Sequence, residues 1–240
     1  MKVFIPTCDK YIHLLECVQL LTEVHFPLKD VEYHIIGYKE PKWKLNDNWF
    51  FHSIGEDRGA NYFTLDLYNF FINVEDDIFM LFNDDVLFLK PCNLETYYKL
   101  LEEIKNDTNV GRIALTDDGT YRRTFHTKQI GYDVIKDYGL IEYKQNSDYK
   151  ISTFCSLWRK NYLLKYLNVN YNPWQFEVLQ SEKSVNDGAR ILATNRDFVI
   201  PSFSVLMRQG AINVNWFIDE RGVNRLDEDL KNKLQKIING

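Results

Sequence analysis

The chain has 240 residues, of which 45% are apolar and 26% are charged, and it carries a formal net charge of −5. This length and apolar content suit one large domain or two small ones, and they exclude a disordered or fibrous chain. The negative charge argues against a general nucleic-acid binder, because such proteins carry clustered excess Lys and Arg that neutralise the phosphate backbone. Any phosphate ligand is therefore expected to be held locally, with help from a metal ion.

The spacing of the cysteines and the length of the apolar runs indicate in which cellular compartment the protein is expected. Cys8, Cys17, Cys92 and Cys155 are far apart and show no C-x-x-C spacing, which predicts reduced thiols rather than a zinc site or a disulfide framework. No stretch reaches the ~18–20 apolar residues that span a bilayer. We therefore expect a cytoplasmic protein without a transmembrane segment.

The first third of the chain alternates between strand and helix patterns. Residues 2–6 are predicted as a buried strand, and a helix follows over 9–26, with Asp9 as its N-cap. Strands are predicted at 31–38 and 49–54, then the turn "GEDRGAN", a helix over 62–74 and a fourth strand, "DIFMLF". This β-α-β order favours a parallel sheet with right-handed crossovers.

The alternation of strand and helix patterns ends after Gly119. A helix over 94–107 and a strand from 110 complete the alternating part, and 121–158 is predicted as irregular structure with a hairpin that turns at "QNSD", residues 145–148. Helices are predicted over 159–167 and from Pro173, and an amphipathic helix over 225–240 is expected to pack on the domain. No Pro- or Gly-rich linker interrupts the chain, so we predict a single domain over 1–240.

Polar residues close the fourth strand, where "FMLF" runs into Asn83, Asp84 and Asp85. In open α/β sheets, ligands bind at the carboxyl ends of strands, and the loops after strands one and four face each other if the strand order reverses there. Carboxylate and amide oxygens suit Mg²⁺ or Mn²⁺, which could hold the diphosphate of a nucleotide. The alternative is that the acids only start a turn or cap the helix near Asn93.

A second candidate is Glu177, three residues after Trp174 in "NPWQFEVLQ". A carboxylate beside large aromatic rings can have its pKa raised by desolvation, which suits a base that takes a proton from a hydroxyl. The alternative is a first-turn glutamate favoured by the helix dipole, with Trp174 in the core.

Two further segments carry candidate ligand contacts. After strand one, Thr7, Asp9 and Lys10 lie at the predicted crevice and could contact a base or a ribose, although Asp9 could be only an N-cap. In the turn "EDRGAN", Asp57, Arg58 and Asn61 are candidates of the same kind, and Arg58 is the better candidate for a phosphate contact.

One more candidate lies near the middle of the chain. His126, close to Arg122 and Arg123 in "YRRTFH", could be a metal ligand or a phosphate contact, although a lone histidine is more often structural.

Four blocks of the sequence resemble glycosyltransferases of the GT-A fold. "FMLFNDDVLF" is similar to their hhhDxD motif, with Asn83 and Asp85 at the two D positions. "YKISTFCSLWRKNYLLKYL", "NPWQFEVLQSEKS" and "VLMRQGAIN" follow in an order similar to a group of microbial and viral glycosyltransferases. The resemblance covers residues 1–217. It departs from the motif at Asn83, where Asp84 can substitute for the missing acid.

This resemblance implies a GT-A-like, Rossmann-type α/β sandwich with a mostly parallel central sheet and helices on both faces. It implies a nucleotide-sugar-binding half over 1–119, an acceptor-side half over 120–217 and a C-terminal helix over 218–240. The implied activity is metal-dependent transfer of a sugar from a nucleoside-diphosphate sugar, UDP- or GDP-linked, to a hydroxyl of a glycan or another acceptor.

The resemblance also implies roles for individual residues. Asp85, with Asp84, would bind Mn²⁺ or Mg²⁺, Glu177 would be the base of an inverting transfer, and Trp174 would lie on the acceptor side. The residues implied on the nucleotide-sugar side are Pro6, Thr7, Asp9, Arg58, Asn61, Asn83 and Asp84. Many GT-A enzymes use a late histidine as a metal ligand, and this chain has none after His126, so water or an acid such as Asp187 would replace it.

Other activities fit the sequence less well. A nucleotidyltransferase usually needs a Gly-rich phosphate loop after strand one, and "IPTCDKY" has no glycine. A phosphatase of the aspartate type would place its nucleophile at the end of that strand, which here ends in Pro6 and Thr7. The remaining alternative is a non-catalytic module that binds sugars or nucleotides on a degenerate transferase fold.

Overall fold

The computed structural model describes residues 1–116, 132–136, 139–194, 199–200, 202–208, 211–213, 215–218, 224 and 226–239. Within these residues the helices are α1 (Leu15–His25), α2 (Phe63–Phe71), α3 (Leu94–Asn106), α4 (Lys160–Leu167), α5 (Pro173–Lys183) and α6 (Glu228–Asn239), with 3₁₀ turns at Ile12–Leu14 and Ala60–Tyr62. The strands are β1 (Lys2–Pro6), β2 (Glu32–Gly37), β3 (Trp49–Ser53), β4 (Ile78–Leu81), β5 (Val86–Phe88), β6 (Val110–Ala114), β7 (Tyr132–Lys136), β8 (Leu140–Tyr143), β9 (Ser156–Arg159), β10 (Arg190–Thr194), β11 (Phe203–Val205), β12 (Met207–Arg208) and β13 (Ala211–Ile212).

Nine strands form the central sheet in the order β3-β2-β1-β4-β9-β6-β10-β8-β7. All of them except β8 and β9 run in one direction, so the sheet is mostly parallel, as the sequence predicts. Two small two-stranded sheets, β5 with β11 and β12 with β13, lie outside it.

Helices cover both faces of the sheet because its central strands are apolar on both sides. In β1, Val3 and Ile5 pack into a core with α1, α3 and α6, whereas Phe4 packs into a second core with α2, α4 and α5. The terminal helix α6 contacts α1 and buries Leu234 and Ile238. Its predicted packing on the domain is confirmed.

The strand order reverses between β1 and β4. From β1 the chain moves outward to β2 and β3, and then crosses to place β4 on the other side of β1, parallel to it. The carboxyl ends of β1 and β4 therefore lie side by side, and the loops that follow them meet at this edge of the sheet.

Asp9 is not the N-cap of α1, so that prediction is wrong. The chain first turns back on Cys8, whose carbonyl accepts hydrogen bonds from the amides of Tyr11 and Ile12, and α1 begins only at Leu15 after a 3₁₀ turn. The Asp9 carboxylate instead accepts a hydrogen bond from the Lys39 amide at 3.1 Å and pairs with the Lys39 ammonium at 2.6 Å.

The turn predicted at 145–148 is present, because the Ser147 amide donates a hydrogen bond to the Lys144 carbonyl at 2.9 Å, but the hairpin predicted around it is wrong. The hairpin of this region joins β7 to β8, and Gly139, with a φ of +75°, lies just before β8 and adopts a conformation that favours glycine. The next strand, β9, does not pair with β8 but inserts between β4 and β6. Local turn residues could not reveal this long-range pairing.

Gly111 marks the tightest contact between β6 and α4. A Cβ at this position would lie 2.4 Å from Cδ1 of Tyr162, a buried ring on α4. We expect Gly111→Ala to lower the free energy of unfolding by about 1–3 kcal/mol, the usual cost of overpacking a core. Urea denaturation would measure this loss. The loss should shrink in a Tyr162→Leu background, and an equal loss in both backgrounds would contradict the steric explanation.

Candidate functional site

The acids after β4 meet the loop after β1. Asn83, Asp84 and Asp85 form the turn between β4 and β5, and the Thr7 hydroxyl donates a hydrogen bond to Oδ2 of Asp84 at 2.6 Å. This contact, across 77 residues of sequence, brings the two predicted segments together at the carboxyl edge of the sheet.

Asp85 is held from a different direction, by the segment that joins β11 to β12. Its carbonyl accepts a hydrogen bond from the Leu206 amide at 2.7 Å, and its carboxylate accepts one from the Met207 amide. The pairing of β5 with β11 positions this segment. The two acids are therefore fixed by the first and the last thirds of the chain.

Both carboxyl groups are easier to protonate than an ordinary aspartate. Burial raises the pKa of Asp84, and burial followed by the negative charge of Asp84 raises the pKa of Asp85, with a smaller contribution from Glu177. Among the described residues, no Lys or Arg forms an ion pair with either acid. When the two acids are ionised, their charge has no cationic partner within this part of the chain, and such a site favours a bound cation.

The donor set fits a hard divalent cation that shares its ligands with a phosphate group. In the described part of the chain, no group of three or more His, Cys, Asp or Glu is arranged to hold a metal ion. Mg²⁺ commonly keeps several waters and binds through one or two carboxylates plus substrate phosphates, so two adjacent acids are sufficient. Asp84 and Asp85 therefore fit Mg²⁺ or Mn²⁺ in an open site completed by the ligand, and not a closed structural site.

Asp187, the possible replacement for a late histidine, lies in another cluster. Its carboxylate accepts hydrogen bonds from the Tyr166 hydroxyl and from the Ala189 amide at 3.0 Å, and it lies 3.4 Å from the Lys165 ammonium. These contacts account for Asp187 without a metal ion.

Glu177 lies one turn into α5, a helix whose start is well defined. Asn172 caps it in a reciprocal capping box with Gln175, and Pro173 opens the first turn. The Ser152 hydroxyl donates a hydrogen bond of 2.5 Å to Oε1 of Glu177 and accepts one from the Phe154 amide. Because an ionised carboxylate can only accept hydrogen bonds, the proton of the Ser152 hydroxyl lies between the two groups and points at Glu177.

Ser152 is a residue that the sequence reasoning missed. It is 1% exposed in an irregular loop, and no helical or strand pattern brings it to Glu177. Buried Arg112 holds this loop by donating to the carbonyls of Lys150 and Phe154. The role of Ser152 can be recognised only from the packing of its loop against α5, which brings it to Glu177.

Trp174 is 70% exposed, so the alternative that places it in the core is wrong. It precedes Glu177 by three residues on α5, a spacing that puts the two side chains on one helix face. The exposed fraction leaves its ring available to a ligand.

Arg58 and Asn61, two of the residues predicted on the nucleotide-sugar side, lie in different surroundings. Arg58 forms an ion pair with buried Asp66, which also accepts a hydrogen bond from the Tyr38 hydroxyl at 2.8 Å, and its guanidinium lies 4.2 Å from the centre of the Tyr62 ring. The charge of Arg58 is therefore opposed within the protein, which weakens it as a phosphate contact. Asn61 is exposed in the adjoining 3₁₀ turn.

Asp57, a candidate from the turn "EDRGAN", and Cys8, which the sequence did not single out, lie beside the loop after β1. The Asp57 carboxylate accepts a hydrogen bond from the Asp9 amide at 3.1 Å and links this loop to the turn that carries Arg58. Burial, followed by the charge of Asp84, raises the pKa of the Cys8 thiol, which is therefore neutral at pH 7. None of the four cysteines forms a disulfide.

Some predicted residues lie outside the described part of the chain. They are Arg122, Arg123 and His126, together with the side chain of Arg208 and residues Gln209 and Gly210 of the late R-x-G segment. Among the helices that are described, none combines the length and apolar character needed to cross a membrane.

The sheet order, the helices on both faces and the acids at the β1–β4 edge define an α/β fold of the GT-A glycosyltransferase type, which confirms the predicted fold class. A mannosyltransferase from Pyrobaculum calidifontis, solved with GDP-Man and Mn²⁺, is similar over 87% of this chain and 57% of its own, with a TM-score of 0.51 and 11% identity. This chain thus spans little more than half of that protein. At this identity, the likeness concerns the fold alone.

Other solved structures are similar at lower scores. A CMP:2-keto-3-deoxy-manno-octonic acid synthetase solved with CTP is similar over 80% of this chain and 87% of its own, with a TM-score of 0.47 and 13% identity. The galactosyltransferase LgtC, solved with donor and acceptor sugar analogues, is similar over 78% and 66%, with a TM-score of 0.40 and 13% identity. No protein-family model and no curated protein sequence matches the chain.

The raised pKa values of the two acids predict an unusual pH dependence of stability. A carboxyl whose folded pKa lies above its ordinary value of 3.8 binds more protons in the folded state, so its ionisation destabilises the fold as the pH rises through that window. We expect the stability of the ligand-free double variant Asp84→Asn/Asp85→Asn, relative to wild type, to increase from pH 5 to pH 8. Urea denaturation in chelator would measure it, and a constant difference across this range would contradict the shifted pKa values.

Proposed function

We propose that this protein is a metal-dependent glycosyltransferase that moves a sugar from a nucleoside-diphosphate sugar to an acceptor hydroxyl, with inversion at the anomeric carbon. The observation that carries the proposal is the contact of Asp84 with Thr7 at the strand-order reversal, with Asp85 next in the chain. The negative charge of Glu177 makes a small contribution to the raised pKa of Asp85, after burial and the charge of Asp84. The GT-A type of fold supports the same class of reaction.

On the donor side, Asp85 and Asp84 would hold Mn²⁺ or Mg²⁺. When bound, such an ion neutralises charge that develops on the departing diphosphate. Thr7 donates to Oδ2 of Asp84 and so orients the carboxylate that would bind the ion. The residues assigned to the nucleotide sugar are Pro6, Thr7, Asp9, Arg58, Asn61, Asn83 and Asp84.

On the acceptor side, Glu177 would act as the general base. It takes the proton of the acceptor hydroxyl while that oxygen forms a bond to the anomeric carbon, and the bond from this carbon to the diphosphate oxygen breaks on the opposite side. The Ser152 hydrogen bond holds the glutamate carboxylate in one orientation, which reduces the entropy lost in reaching the reactive geometry. Exposed Trp174 would stack on the acceptor.

The donor nucleotide is proposed as GDP or UDP. The similar mannosyltransferase was solved with GDP-Man and Mn²⁺, which makes GDP-linked sugars with Mn²⁺ the first donors to test.

The proposal is tested first by thermal unfolding of the purified protein with GDP, UDP, CDP and CMP, each with and without Mn²⁺ or Mg²⁺. A ligand that binds only the folded state raises its apparent stability, so a diphosphate effect that requires the metal ion is expected. Hydrolysis and transfer assays with the matching nucleotide sugars follow. Metal-dependent binding without turnover of any donor would instead support a non-catalytic binding module, and no binding of any diphosphate would refute both.

A further inference from the structure

A cavity of about 650 Å³ lies on the α2 face of the sheet. Strands β1 to β3 contribute Phe4, His34 and His52 to its wall, and α2 contributes Asn69 and Phe70. The volume falls within the range of ~300–1,000 Å³ that small-molecule sites occupy. The acids after β4 and the base proposed on α5 do not line this cavity. Arg58, a candidate contact for the nucleotide sugar, does line it, so the two sites adjoin at this residue.

Two histidines on neighbouring strands form a hydrogen-bonded chain in this wall. Nε2 of His34 lies 3.3 Å from Oε2 of Glu32, and Nδ1 of His34 lies 2.7 Å from Nε2 of His52. Burial lowers the pKa of both rings, which are therefore neutral at pH 7 and carry one N–H each.

The chain has a defined direction. A carboxylate only accepts hydrogen bonds, so Nε2 of His34 carries the proton, its Nδ1 accepts, and Nε2 of His52 donates. This leaves Nδ1 of His52 as an unprotonated acceptor, and it has no partner among the described residues. His52 lines the cavity, so this nitrogen is a hydrogen-bond acceptor that a donor on a ligand or a water molecule could satisfy.

The charges around the cavity are largely balanced by the protein. Lys2 pairs with Asp76 at 2.8 Å, and Arg58 pairs with Asp66. The hydrogen bond to Asp76 raises the pKa of Lys2, and the negative charge of the exposed Glu75 makes a small further contribution. A ligand with a net charge would have to compete with these pairs, so the lining favours an uncharged molecule.

We propose that this cavity binds a neutral carbohydrate ring, with a sugar hydroxyl donating to Nδ1 of His52. The amides of Asn69 and Asn73 both donate and accept hydrogen bonds, which suits further hydroxyls, and the Phe70 ring offers an apolar surface to the C–H face of the sugar. A planar aromatic ligand without donors would leave the histidine nitrogen unsatisfied. This site does not depend on the proposed transfer reaction.

The test is an NMR titration of the histidine ring nitrogens in the intact protein with methyl glycosides of glucose, galactose and mannose. We expect at least one glycoside to shift the His52 signals saturably. His52→Phe should weaken binding about tenfold, as expected for one lost hydrogen bond to the ligand. Asn69→Ala, on the exposed side of α2, should weaken it without disturbing the His34–His52 pair. His13→Asn, at an exposed histidine far along the chain from this wall, should leave binding unchanged.

Two results would overturn the proposal. One is the absence of any saturable shift with the three neutral glycosides. The other is binding that neither the His52 nor the Asn69 variant weakens. Asp85→Asn should retain glycoside binding at this cavity, so failure here and failure of the proposed transferase activity are distinguishable.

Discussion

Asp85→Asn is expected to abolish stabilisation by a nucleoside diphosphate with Mn²⁺ while making the ligand-free protein more stable at pH 8. The wild-type carboxylate is partly buried beside Asp84 without a cation from the described residues, so its negative charge destabilises the fold until an ion binds. The amide keeps the shape of the side chain but removes the charge, and an uncharged amide oxygen is a much weaker ligand for Mn²⁺ than a carboxylate. At a ligand concentration of 100 Kd, the lost stabilisation would be about 2.7 kcal/mol.

A matched control is available on the same strand segment. Asp77→Asn changes an exposed aspartate just before the amino end of β4, away from the carboxyl edge, and should leave metal-dependent stabilisation intact. Thermal unfolding of the three proteins, with and without Mn²⁺ and GDP or UDP, measures both effects. The assignment of Asp85 fails if its variant keeps the full metal-dependent shift.

Glu177→Gln is expected to lower the rate of sugar transfer by about 10²–10⁴-fold, the usual contribution of a general base. Gln cannot take a proton from the acceptor, but it can still accept the hydrogen bond from Ser152, so the loop should stay in place. Donor binding should be unchanged, because the glutamate is assigned to the acceptor side. Ser152→Ala should give a smaller loss, since it removes only the group that orients the base.

Steady-state transfer rates, with donor binding measured separately by thermal unfolding, would check this expectation. Glu182→Gln, at an exposed glutamate on the same helix, serves as the control and should retain the wild-type rate. A Glu177→Gln protein with a rate within a few-fold of wild type would require another base. A variant that loses donor binding as well would point to a donor-side role.

The sequence predicts the ends of β1 and β4 correctly, because a buried strand is recognised from a run of apolar residues that is local in the chain. Apolar runs at 2–6 and 78–81 are long enough to define buried strands, and the first polar residues after them have to lie at the edge of the sheet. The contact between Thr7 and Asp84 follows from this once the two strands are neighbours. The sequence alone does not show that β1 and β4 are neighbours in the sheet; the structure does.

The predictions of an N-cap at Asp9 and of a hairpin at 145–148 are wrong because contacts between distant parts of the chain override the local sequence pattern. Asp9 has the chemistry of an N-cap, but its loop is tied to Lys39 and Asp57, and the helix starts later. The segment "QNSD" does form a turn, but the following strand β9 inserts between β4 and β6, where it has a partner on each side, and does not pair with β8.

By itself the sequence determined the α/β class, the positions of most helices and strands and the two acids that end β4, because period and composition act over a few residues. Only the tertiary structure decided which strands pair, and hence that Ser152 reaches Glu177, that Asp66 opposes Arg58 and that His34 and His52 share a hydrogen bond. These contacts join residues from separate elements. Their geometry depends on how the sheet orders its strands, which no short segment of the chain encodes.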